Sequence, residues 1–122
     1  MNALTVVVVA LAGGVGSALR YLVDNAVPAR VRARFPWGTA LVNLTGSFAL
    51  GIVTGLMSRG APTLWGEAVA IGVLGGYTTF STASIETVRL ALDRRAWSAA
   101  LNGVGILIAC VALALVGYVA AA

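Results

Sequence analysis

The sequence predicts an all-α membrane protein with four transmembrane helices. Of its 122 residues, 60% are hydrophobic and only 10% are charged, and the mean hydropathy is +0.97. A soluble domain keeps roughly a quarter of its residues charged, so this chain has too little polar surface to face water on all sides. The apolar residues also fall into four runs separated by short polar connectors. That pattern favours a lipid bilayer as the solvent.

Each apolar run is long enough to cross a membrane, which takes about 20 residues because the hydrocarbon core is roughly 30 Å thick. The runs occupy residues 3–23, 37–57, 65–92 and 96–120, and residues 1–122 form one transmembrane domain. Tryptophans stand at the start of three runs: Trp37, Trp65 and Trp97. Because indole side chains prefer the headgroup level, these positions support the predicted boundaries.

Small residues within the spans predict close helix packing. Gly51 and Gly55 have the four-residue spacing that lets two helix backbones approach, and so do Gly72 and Gly76. A glycine cluster at residues 13–17 could instead suggest a phosphate-binding loop, but no strand precedes it and no lysine follows it. Packing is the better interpretation.

The residue types exclude several classes of function. The chain has no histidine, and its single cysteine, Cys110, lies inside an apolar run. A disulfide framework, a zinc site and histidine-based catalysis are therefore not available within one chain, and an enzyme is not expected. The net charge of +4 comes from arginines in connectors and at helix ends, not from a stripe interleaved with aromatic residues. We therefore expect no nucleic-acid partner.

The arginines predict a single orientation in the membrane. With four spans, the first and third connectors share one face, and that face with its adjoining helix ends carries seven of the eight basic residues. The opposite face has Arg59 alone. These seven are Arg20, Arg30, Arg32, Arg34, Arg89, Arg94 and Arg95. By the positive-inside rule, the first and third connectors lie in the cytoplasm and both termini outside; the first run is expected to be a retained span.

A polar stretch in the middle of the third run predicts a break in that helix. Residues 75–84 contain two glycines, a tyrosine and five hydroxyl side chains around Phe80. Unwound backbone cannot face lipid, so breaks occur where protein or a water-filled cavity supplies hydrogen-bond partners. Free carbonyls suit a hard cation, whereas amide and hydroxyl donors suit a small anion. The alternative is an intact helix whose hydroxyls bond back to its own carbonyls.

Other polar residues within the spans point to the same ion-handling class. Asn43 lies deep in the second run with Thr39 nearby, and Glu86 follows the polar stretch of the third. Such groups are costly in a membrane and often mark ion or substrate pathways. Taken singly, Asn43 could instead join two helices, and Glu86 could pair with Arg89 or Arg20.

Three ordered blocks of sequence resemble the small bacterial fluoride exporters called Fluc or CrcB channels. They are GGVGSALRY at residues 13–21, WGTALVNLTGSF at residues 37–48 and GGYTTFST at residues 75–82. The resemblance covers nearly the whole chain. It implies a multi-pass protein of the bacterial plasma membrane that exports cytoplasmic fluoride and so reduces its toxicity.

The resemblance also implies an assembly and a set of site residues. The assembly is an antiparallel dimer, with a structural Na⁺ at the dimer interface bound by the backbone carbonyls of Gly75 and Thr78. The fluoride pathway would pass an amide of Asn43 and the ring edge of Phe80, whose positive rim can face a small anion. The full set of expected pathway residues is Arg20, Thr39, Asn43, Phe80, Ser81, Ser84 and Glu86.

The chain departs from the family pattern in two places. Ala83 stands where the family has a second pore phenylalanine, and Asn102 and Ile106 stand where the fourth span usually carries a tyrosine and a serine. An antiparallel homodimer also needs a chain that inserts both ways, whereas seven arginines against one favour a single orientation. We therefore expect a heterodimer with a paralogous chain of opposite orientation that restores the missing groups. A homodimer with one altered pore surface remains the alternative.

Two other functions fit four short spans. One is a small multidrug exporter, which would need a carboxylate deep in its first span to exchange protons for cations. The first acidic residue here is Asp24, beyond that span, so this function is disfavoured. A structural subunit that conducts nothing is compatible with the nearly featureless fourth span.

Overall fold

The computed structural model describes residues 1–122, and every regular element in it is helical. Four stretches have the length and apolar composition to cross a membrane: Ala3–Ala26, Trp37–Ser58, Thr63–Leu92 and Ala96–Ala121. The four predicted spans are therefore confirmed, with ends that differ by a few residues. The helices are α1 (Ala3–Ala26), α2 (Ala29–Arg34), α3 (Trp37–Ser58), α4 (63–77), α5 (Phe80–Leu92) and α6 (Ala96–Ala121).

The short helix α2 was expected only as a connector. Pro28 precedes it and Pro36 follows it, and proline suits both places because it is tolerated at a helix start and cannot continue a helix. Two widened π-helical turns also interrupt the regular α geometry, at Ala68–Val73 in α4 and at Leu101–Gly105 in α6. Such turns insert an extra residue and re-aim the side chains around them.

Glycines bring the helices together in two pairs, as their spacing predicted. On α3, Gly51 faces the backbone of Ala114 in α6 and Gly55 faces that of Tyr118. Between α1 and α4, Gly76 lies on the backbone of Gly13. A side chain at Gly51, Gly55 or Gly76 would collide with the facing backbone, so the absence of a Cβ permits the contact.

The first and third connectors meet at one end of the bundle. The Arg95 guanidinium donates hydrogen bonds to the carbonyl oxygens of Ala33, at 3.4 Å, and of Arg34. The turn that carries Arg95 includes Arg94 in a left-handed conformation, with φ of 58°. The arginine-rich segments therefore lie on one face, as a four-span topology requires.

Helix α3 is the most enclosed span, and the other three expose most of their apolar side chains. Its central place brings Thr39 into contact with Glu86 of α5 and Asn43 into contact with Thr79, the residue just before α5. These contacts between α3 and the start of α5 define the position of the candidate site.

Candidate functional site

Two extended residues separate α4 from α5. Thr78 has φ of −80° and ψ of 159°, and Thr79 has φ of −149° and ψ of 125°. The helix before them ends at Tyr77 and the next begins at Phe80. Their peptide groups lie within a span, where each unpaired polar group costs several kcal/mol, so they need partners from elsewhere in the protein.

Asn43 supplies partners for both polar groups of Thr79. Its Nδ2 donates to the Thr79 carbonyl at 2.8 Å, and its Oδ1 accepts from the Thr79 amide at 2.8 Å. The two bonds fix the orientation of the carboxamide, because the reversed amide would set donor against donor and acceptor against acceptor. Asn43 therefore binds the extended backbone as a neighbouring strand would.

Hydroxyl groups complete the start of α5. Thr79 caps the helix, its Oγ1 accepting from the Thr82 amide at 3.2 Å. The Ser81 hydroxyl lies 3.4 Å from the same oxygen. The Ser84 hydroxyl donates to the Phe80 carbonyl at 2.9 Å. Ser84 thus makes the back-bond that the intact-helix alternative expects of a hydroxyl residue, while Thr79 does not.

Glu86 pairs with a hydroxyl. Thr39 is buried and its Oγ1 donates to Glu86 Oε1 at 2.9 Å, while Glu86 Oε2 is buried without a hydrogen-bond partner. The alternative in which Glu86 pairs with Arg20 or Arg89 is not what the structure shows. Arg20 instead donates to the Thr78 carbonyl at 3.5 Å, the outer limit of a hydrogen bond.

The expected pathway residues divide between two cavities. A groove of about 480 Å³ is lined by Asn43, Phe80, Ser84 and both expected cation ligands. A smaller cavity of about 250 Å³ at the arginine-rich end is lined by Thr39 and Glu86 together with Asp24, Arg32, Arg89 and Arg95. Ser81 and Arg20 line neither cavity. The resemblance implies one route for these seven residues, and in the structure five of them line the two cavities.

Phe80 is 81% exposed, so its ring is not packed in the core of the subunit. Its ring stands at the rim of the groove, and Ala83 lines the same groove one turn further along α5. No second aromatic ring stands beside Phe80 in the groove lining.

Asn102 is a groove residue that the sequence reasoning treated only as a departure from a family pattern. It is 4% exposed, and its Nδ2 donates to Thr87 Oγ1 at 2.9 Å and to the Ala83 carbonyl at 3.3 Å. The Thr87 hydroxyl also donates to that carbonyl, at 2.8 Å. The signal in the sequence was the side-chain amide of Asn102 inside an otherwise apolar span. A side-chain amide is costly in a membrane unless it has hydrogen-bond partners, so its presence indicates a bonded position.

The carbonyls of Gly75 and Thr78 differ in their suitability for a hard cation, which prefers oxygen ligands. The Thr79 amide, which would normally bond to the Gly75 carbonyl, is taken by Asn43, so that oxygen is free of its helical partner. The Thr78 carbonyl has one lone pair directed at the Arg20 guanidinium and a second available. Gly75 fits a cation well, and Thr78 fits one only alongside a cationic neighbour.

Comparison of the sequence with known proteins identifies the family of the chain. Residues 7–118 match the family described as CrcB-like protein, Camphor Resistance (CrcB). A protein of Leifsonia xyli subsp. xyli named fluoride-specific ion channel FluC 1 is 47% identical over 108 residues, which cover 88% of this chain and 79% of the relative.

Two further relatives have the same kind of name. Fluoride-specific ion channel FluC 2 of Mycobacterium tuberculosis is 45% identical over 120 residues, covering 95% of this chain and 92% of the relative. Fluoride-specific ion channel FluC of Solibacter usitatus is 44% identical over 99 residues, covering 80% and 81%. These relatives are named as channels and not as enzymes, in agreement with the lack of catalytic motifs in the sequence. The chain therefore belongs to the CrcB-like family.

Proposed function

We propose that this chain is a subunit of a fluoride-selective channel that exports cytoplasmic fluoride across the plasma membrane. The observation that carries the proposal is its similarity, over almost its whole length, to relatives named fluoride-specific ion channels. Hydrogen fluoride enters cells as a neutral molecule and ionises inside, so a passive path for the anion, driven by its gradient and the membrane potential, is sufficient for export.

In this proposal the groove supplies weak donors to a dehydrated anion. Asn43 Nδ2 carries two N–H groups and uses one on the Thr79 carbonyl, so the second remains for fluoride. The exposed Phe80 presents the positive edge of its ring. The Ser84 hydroxyl can turn from its present acceptor, the Phe80 carbonyl, toward an ion in the groove, whereas Ser81 would meet the ion outside the groove lining. Several weak donors in series replace the hydration shell without holding the ion too tightly to release it.

The smaller cavity forms the cytoplasmic mouth. Its lining carries both signs of charge, with Arg32, Arg89 and Arg95 beside Asp24, Glu86 and Asp93, so the cavity itself is not expected to concentrate anions. Thr39 holds one oxygen of Glu86, which keeps that carboxyl group directed away from the groove. Arg20 lies beside Thr78, whose carbonyl it contacts.

A Na⁺ ion completes the proposed site. The Gly75 and Thr78 carbonyls would hold it, with equivalent oxygens from a second subunit. Its role is structural: a fixed positive charge near the pathway stabilises both the interface and a passing anion.

The second subunit is proposed to be a paralogous chain of opposite orientation. Two independent observations support this: Ala83 leaves the groove without a second aromatic ring, and seven of eight arginines mark one face. A partner that inserts the other way and carries the missing aromatic ring would complete the pore.

The experiment is fluoride efflux from liposomes, with rescue of fluoride-sensitive cells in parallel. We expect efflux when this chain is reconstituted with its partner, and little rescue by this chain alone. Robust rescue by the chain alone would establish the homodimer instead. Absence of fluoride efflux from every combination, with correctly inserted protein, would leave the non-conducting structural subunit as the better description.

A further inference from the structure

The Gly75 carbonyl lacks the hydrogen bond that helical geometry assigns to it. In an α-helix the carbonyl of residue i accepts from the amide of residue i+4, which for Gly75 is Thr79. The preceding carbonyl, that of Leu74, still accepts from the Thr78 amide at 3.0 Å. The Thr79 amide instead donates to Asn43 Oδ1 at 2.8 Å. The last helical hydrogen bond of α4 is therefore the one from the Thr78 amide, and the next amide, that of Thr79, bonds to Asn43 instead.

We propose that Asn43 is a positioning residue that keeps the Gly75 carbonyl free by binding the Thr79 peptide groups. In the absence of the carboxamide, the Thr79 amide would turn to the Gly75 carbonyl and extend α4 by one residue. The freed oxygen is then available to a small hard cation. The cation part rests on the proposed function; the competition between Asn43 and Gly75 for the Thr79 amide does not.

Three features of the structure favour this competition. The amide of Thr79 lies within a membrane span, where it must have a partner, and only one acceptor can take its single proton. Asn43 offers a second bond to the Thr79 carbonyl, which the helix ladder cannot offer in the extended conformation. Gly46, one turn along α3, faces the Thr78 and Tyr77 side chains, so α3 lies close enough for Asn43 to reach.

The sequence provides a spectroscopic probe of the Gly75 carbonyl. Glycine follows glycine at only two places, Gly13–Gly14 and Gly75–Gly76. Protein labelled with ¹³C and ¹⁵N in glycine alone therefore gives two carbonyl-to-nitrogen correlations in solid-state NMR of bilayer samples. One reports the Gly75 carbonyl, and the other reports the Gly13 carbonyl. The spectra are recorded in sodium-free buffer, so that a change in the Gly75 carbonyl shift reports hydrogen bonding and not Na⁺ binding.

We expect Asn43→Leu to move the Gly75 carbonyl carbon downfield, toward the hydrogen-bonded position. Asn43→Asp retains an acceptor for the Thr79 amide, so its Gly75 signal should stay at the wild-type position. Asn102→Leu is the matched control, because it removes the other groove asparagine, which bonds to Ala83 and Thr87 instead. A wild-type Gly75 signal in Asn43→Leu, or the same shift in Asn102→Leu, would overturn the proposal.

Cation binding is measured separately, as the rise in midpoint unfolding temperature when Na⁺ replaces N-methylglucamine. We expect the rise in the wild type and in Asn43→Asp, and its loss in Asn43→Leu. An unchanged rise in Asn43→Leu would refute the link to the cation. Neither measurement requires conduction, so failure of fluoride efflux would count against the proposed function alone.

Discussion

Helix α3 contacts its neighbours in two different ways. Toward its C-terminal end, Gly51 and Gly55 bring it against the backbone of α6, and the contact is made by close packing. Toward its N-terminal half, Thr39 and Asn43 reach α5 and the two extended residues through hydrogen bonds. In lipid, helices associate through van der Waals packing or through polar bonds, since no hydrophobic effect drives them together. One helix here uses both, and only the polar contact offers groups to an ion.

The largest expected loss of stability is at the packed contact. Gly51→Leu would drive a side chain into the backbone of Ala114 and should cost about 3 kcal/mol or more of unfolding free energy, at the upper end of overpacking. Thermal unfolding in detergent measures it. Gly14→Ala is the control, because a Cβ there meets nothing within 4 Å. Equal stability of Gly51→Leu and wild type would show that α3 and α6 are not closely packed.

At the polar contact, Asn43→Ser should be less damaging to stability but more damaging to transport. Serine is too short to make both bonds to Thr79, and two bonds within a membrane are together worth about 1–2 kcal/mol. Fluoride efflux should fall at least about tenfold, the factor for each 1.4 kcal/mol of barrier. Undiminished efflux from stable protein would remove Asn43 from the pathway.

Loss of the N-cap at the start of α5 should lower the stability less than the Gly51 substitution, and we expect no more than a small effect. Thr79→Ala removes the oxygen that accepts from the Thr82 amide and should cost about 1 kcal/mol of unfolding free energy. Thr79→Ser keeps that oxygen and serves as the control. If the two variants are equally stable, the capping bond contributes nothing.

Phe80→Ile should have the smallest effect on stability, because the ring is already 81% exposed within one subunit. Its effect on fluoride efflux should be large, since an aliphatic side chain lacks the positive ring edge. Efflux and unfolding are measured on the same preparation. A stable variant with full efflux would assign Phe80 to lipid or subunit packing.

The fold was predictable because its signals are local. Apolar length gave the four spans, and glycine spacing gave the contacts of Gly51 and Gly76. The partner choices were not predictable from composition. Glu86 had Arg89 near it in sequence, yet it bonds to Thr39, 47 residues away, because the turn of α5 directs it toward α3.

Asn43 shows the same limit. Its depth in a span marked it as functional, and its expected role was to donate to an ion. Its two bonds to Thr79 depend on how closely α3 approaches the extended residues, which no spacing rule gives. Asn102 was underrated for a similar reason, because only the folded chain places it against Thr87.

The bonds from Arg95 to Ala33 and Arg34 join segments 61 or 62 positions apart in sequence. They can form only if the last two spans have inserted with their connector on the same side as α2. A chain whose second half has entered the membrane in reverse leaves the carbonyls at the end of α2 without this donor and Arg95 stranded on the far side. The two bonds of this one side chain therefore depend on which side of the membrane each connector lies.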